Sequence, residues 1–111
     1  MNKLIIFFIT VIFLFSYTQV SWSYTVKGSG NTSCGELLEE EKNRTSQGIL
    51  FYQKNAWILG YITGRNYENN ANKGRGVHPD SIYYAVLNYC RDNPLKDLDD
   101  AIQSIYDYEL K

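Results

Sequence analysis

The stretch "NAWILGYITGRN", residues 55–66, decides how this chain is read. Its apolar residues recur at helical spacing. Leu50, Trp57 and Tyr61 fall on one stripe, and Phe51, Ile58 and Ile62 fall beside it. A helix is predicted from about Ile49 to Asn66, and so broad a stripe makes it the most buried one. Yet Gly60 and Gly64 lie inside it, where a glycine costs about 1 kcal/mol relative to alanine. Two readings account for that cost. Glycines four apart let another helix approach closely, or they line a groove for a partner. Gly64 also has the option of ending the helix in a left-handed conformation.

Outward from this helix, the chain begins with an address. Lys3 is followed by an unbroken apolar run from Leu4 to Phe15, then a polar segment ending Ser21-Trp22-Ser23. This is the layout of a secretory signal peptide, with cleavage expected after Ser23. The apolar run falls short of the roughly 20 residues that span a bilayer. No stable membrane anchor is therefore expected after cleavage, and an uncleaved anchor is the rival reading. The domain layout is a signal peptide over 1–23, a flexible N-terminal arm over 24–32 and a helical domain over 33–111. Residues 24–111 carry ten basic and twelve acidic side chains, a formal charge of −2. Nothing there resembles the basic face that nucleic acid demands.

Export takes Cys34 and Cys90 into an oxidising compartment, periplasmic or extracellular. Two cysteines admit one intramolecular pairing. A crosslink closing so long a loop is worth about 4 kcal/mol in the chain-entropy model. Two free buried thiols are the alternative. A metal site is not expected, since two cysteines and the distant His78 lack the close spacing of zinc sites.

Three further helices complete the count. Ser33 and Glu36 form a capping-box pattern opening a helix from Cys34 to about Arg44. After a long loop, "YENNANKGRGVH" at 67–78, Pro79-Asp80 opens a helix carrying Ile82, Tyr83, Val86, Leu87 and Cys90 on one face. Asn93-Pro94 is read as ending that helix and starting the last, which continues to about Tyr108. No stretch alternates as a strand would. The expectation is an all-α protein, a small four-helix bundle with one long-range disulfide.

Catalysis finds little to work with. His78 is the only histidine, and His78-Pro79-Asp80 reads more simply as a helix entrance than as acid-base machinery. "GRG" at 74–76 is too short for a phosphate loop. No catalytic residue, metal or cofactor is assigned. Tyrosine is the abundant feature. Nine of the ten lie beyond residue 23, more than a core this small can bury with hydroxyls satisfied. Exposed tyrosines suit protein contacts. Tyr67, Arg75 and His78, in and beside the long loop, are candidate partner contacts.

The order of landmarks, "CGELL" at 34–38, "WILGYITG" at 57–64 and "YCRDNPLKDLDDAI" at 89–102, resembles a group of small exported proteobacterial proteins. In size, export, helicity and a single long-range disulfide the chain resembles the HdeA/HdeB-like acid-stress chaperones. In its glycine-aromatic-x-x-glycine helix and its asparagine-proline junction it is similar to the Rap/Tai immunity proteins, which neutralise cell-wall-cleaving toxins. The resemblance implies a bridge between Cys34 and Cys90, and a signature of Trp57, Gly60, Tyr61 and Gly64. It also implies a non-catalytic role in binding a protein partner or unfolded clients, with a homodimer left open.

Overall fold

The computed structural model describes residues 2–15, 24–45 and 48–111. The expected cleavage point after Ser23 lies outside them. Among the described residues the architecture is all-α: α1 (Lys3–Phe15), α2 (Cys34–Lys42), α3 (Ile49–Asn69), α4 (Pro79–Asp92) and α5 (Leu98–Tyr108), with a short 3-10 turn at Gly28–Asn31 and no strand. The sequence reading counted four helices. The fifth is α1, formed by the apolar run, and the chain extends over 76 × 30 × 23 Å. The main contacts between elements, among the described residues, are those of α2 to α5 and the 3-10 turn. No helix among the described residues is long and apolar enough to cross a membrane.

The core lies where α2, α4 and α5 meet the inner face of α3. Leu37, Ile58, Val86, Leu87, Leu98, Ile102 and Ile105 are its largest fully buried side chains besides the cysteines. Cys34 and Cys90 are joined by a disulfide across 56 residues, tying the first turn of α2 to the last turn of α4. A disulfide of this kind belongs to an oxidising compartment. The helical stripe read for α4 is the buried one: Ile82, Tyr83, Val86, Leu87 and Cys90 all face the core.

Local signals explain most helix ends. Ser33 Oγ accepts from the Glu36 amide at 3.1 Å, capping α2. Pro79 takes the first position of α4, where its missing N–H costs nothing. α3 passes through Gly64 and stops at Asn69, because Asn70 adopts the left-handed conformation with φ 48°. The loop is correspondingly shorter than read. Asn66 organises it: its side-chain amide donates to the Lys73 carbonyl, and its oxygen accepts from Lys73 N and Tyr106 Oη.

Three expectations are corrected. Asn93-Pro94 does not begin the last helix. α5 starts at Leu98, capped by a reciprocal Asp97–Asp100 box. The reason is long-range. Cys34 N donates to the Lys96 carbonyl at 2.7 Å, Leu98 N donates to the Thr32 carbonyl at 2.9 Å, and Ser33 pairs with Asp97. Lys96 and Asp97 are thereby held against the chain before α2, with Asp97 extended, and α5 begins only at Leu98.

Segment 24–32 is likewise fixed to the domain, where a loose arm was expected. Trp57 Nε1 donates to the Lys27 carbonyl at 2.8 Å, and Tyr24 Oη donates to Asp99 at 2.8 Å. Gly28, at φ +72°, and Gly30 let this segment lie against the indole. A side chain at Gly30 would overlap Trp57 Cζ2, Cη2 and Val26 Cγ1.

Nor is α3 the most buried helix. Of its residues only Lys54, Ile58 and Ile62 are buried, while Ile49 and Leu50 stand exposed. α4 and α5 contribute more of the core.

Candidate functional site

The signature read from α3 is divided between two faces. Trp57 and Tyr61 turn inward, with ring centroids 5.7 Å apart, and Tyr61 meets Tyr106 edge-on at 6.5 Å. Arg65 lies over Tyr106 at 4.6 Å, receives support from Asp107 at 2.9 Å and donates to Tyr61 Oη at 2.7 Å. Burial pushes the Tyr61 phenol up, against the opposing pull of Arg65. This half of the signature is a structural joint between α3, α5 and the segment before α2.

Gly60 and Gly64 are the other half, and they pack against nothing. A Cβ built at either meets no atom within 4 Å. Of the two readings of that spacing, close packing of another helix within the chain finds no neighbour among the described residues. The two glycines lie on an outward face of α3 with Tyr52, Ala56, Thr63 and Tyr67, all exposed. Tyr67 is 90 % exposed. The remaining tyrosines divide as the count required: Tyr24, Tyr84 and Tyr108 also reach solvent, Tyr89 is half-buried, and Tyr83 and Tyr106 are buried.

The other candidate contacts are exposed but separate in role. Arg75 sits in a tight turn, its amide bonded to the Asn72 carbonyl at 3.2 Å. His78 caps α4, with Nδ1 accepting from the Asp80 amide at 3.2 Å. That is the helix-entrance reading of His78-Pro79-Asp80. Among the described residues no group of acidic, histidine or cysteine side chains has the arrangement of a metal site.

A second surface was not legible in the sequence. Between α2 and the start of α3 lies an open cavity of about 650 Å³. Leu50, Phe51 and Tyr83 supply apolar lining, and glutamates of α2 stand along the other wall. Arg44 covers the Phe51 ring at 4.2 Å and pairs with Glu41 at 3.2 Å. Glu41 also accepts from Tyr83 Oη at 2.9 Å. Burial, and then the bond to Glu41, push the Tyr83 phenol well above the usual tyrosine range. Behind this wall Lys54, only 7 % exposed, reaches Glu40 Oε1 at 3.5 Å. The sole sequence signal for this surface was the run Glu39-Glu40-Glu41, which reads equally well as a solvated face.

These features define a class: a disulfide-tied, all-α protein whose notable surfaces are an exposed glycine-tyrosine helix face and an acid-walled cavity. Comparison with protein-family models, with curated proteins and with solved structures gives no match to this chain.

Proposed function

We propose that this is an exported, non-catalytic protein-binding protein, released to the periplasm or the cell exterior as the four-helix unit of α2 to α5. The observation that carries the reading is the outward face of α3. A helix retains two costly glycines at positions that touch nothing internally, between two exposed tyrosines. A partner surface is the simplest beneficiary of that arrangement: glycines permit close approach, and tyrosines supply amphipathic contact area. A second copy of the chain is one such partner.

An HdeA-like chaperone role is supported by where the carboxylates sit. Glu40 meets Lys54 between α2 and α3, Glu41 meets Tyr83 between α2 and α4, and Asp99 meets Tyr24 of the N-terminal segment. Full protonation would swing residues 24–111 from a formal −2 to about +11 and remove the negative partner at each seam. The disulfide would keep the loosened chain compact. The expected result is suppression of aggregation of a denatured client at pH 2. A client that precipitates equally with and without the protein rejects this role.

The open glycine face favours a second version, a Rap/Tai-like immunity protein that binds a cell-wall hydrolase through its folded surface. Capture at neutral pH should then recover one dominant partner, and Gly60→Leu should abolish capture with the fold intact. Recovery of no single partner counts against it.

A further inference from the structure

The cavity between α2 and α3 is a binding site separate from the glycine face, and we propose that it receives a cationic amphipathic peptide segment. Its floor is apolar. Leu50 is 49 % exposed there, beside Phe51 and Tyr83. Side chains of this kind left open to water favour an apolar occupant. The wall opposite is acidic: Glu36, Glu39 and Glu40 line it.

Charge on that wall is only partly met from within. Arg44 is engaged with Glu41, and Lys54 with one oxygen of Glu40. Glu36 and Glu39 enter no ion pair among the described residues. The second carboxylate oxygen of Glu40, Oε2, is buried with no hydrogen-bond partner among the described residues. An apolar floor beside surplus carboxylates is complementary to one chemistry, an apolar side chain flanked by lysine or arginine. At about 650 Å³ the cavity lies within the usual range for a ligand pocket, so it would take a few side chains of a segment and leave the rest outside.

The test is titration of the full chain with a fluorescent helical peptide of leucine and lysine, followed by anisotropy at low salt. A peptide of the same pattern with glutamate for lysine and the small amphiphile dodecyltrimethylammonium serve as comparisons. The lysine peptide should bind. The double variant Glu36→Gln/Glu39→Gln and the single variant Leu50→Ser should each weaken it at least tenfold, with unchanged helical circular dichroism. Both changes lie at exposed positions, and Gly60→Leu should leave this affinity unaltered, which separates the site from the glycine face. The proposal is overturned if the glutamate peptide binds as well, if the variants bind like the parent, or if only the small amphiphile is held.

Discussion

Trp57 donates its indole N–H to the Lys27 carbonyl at 2.8 Å, and its six-membered ring occupies the space a side chain at Gly30 would need. This pair of contacts fastens the segment before α2 to the longest helix, and that segment in turn holds residues 96–98. Gly30→Ala should therefore act at a distance from any core residue. Forcing a methyl group into this contact should cost about 1–3 kcal/mol. The check is thermal unfolding, with indole emission shifting to the red if the contact opens.

Gly60 and Gly64 should behave in the opposite way. Both face open space on a helix, so Gly60→Ala and Gly64→Ala should each stabilise the isolated protein, by up to about 1 kcal/mol. Chemical denaturation decides this. A loss of stability at either position would restore the packing reading that spacing alone suggested.

Alkaline pH should release the N-terminal segment. Tyr24 donates to Asp99, and that bond, with burial and the carboxylate charge, pushes its phenol from 10.0 up to about 12. A raised folded value means that the protonated phenol is favoured by folding. Its contribution is complete below pH 10 and is lost as pH rises toward 12. The stability difference between the parent and Tyr24→Phe should be constant from neutral pH to about 10, where Asp99 is ionised, and shrink to nothing above about 12, followed by thermal melts across that window.

Lys54 and Glu40 should be coupled. Lys54 is nearly buried at the α2–α3 seam and Glu40 is its cation's partner. Lys54→Met leaves a largely buried carboxylate uncompensated and should cost on the order of 3 kcal/mol. Adding Glu40→Gln should recover much of that loss. A double variant no more stable than Lys54→Met would show the pair to be independent.

Reduction of the Cys34–Cys90 bridge, or the paired change to serine, should lower stability by about 4 kcal/mol in the chain-entropy model, since the closed loop spans 56 positions. Denaturant titration with and without reductant measures it.

What the sequence by itself determined was local or left no alternative. Periodicity located α3, α4 and the body of α5. Ser33 and Pro79 marked two helix starts. Two cysteines left a single intramolecular pairing. These follow from hydrogen-bond geometry and side-chain spacing within a few residues. Tertiary structure alone decided the direction each face points and which chain segments meet. An apolar stripe as broad as that of α3 does not say which edge is covered: the spacing of Gly60 and Gly64 fits close packing as well as a groove, and they are open, while Leu50, on the predicted inward stripe, lines a cavity. Asn93-Pro94 has the chemistry of a helix start, but pairing of residues 96–98 with the chain around Ser33 outweighs it. Gly30 is the glycine that makes room for the indole, and that need is set by a side chain some thirty residues away, while Gly28 is required by its positive φ. No local pattern encodes such a contact, because it exists only once α3, α5 and the segment before α2 have come together.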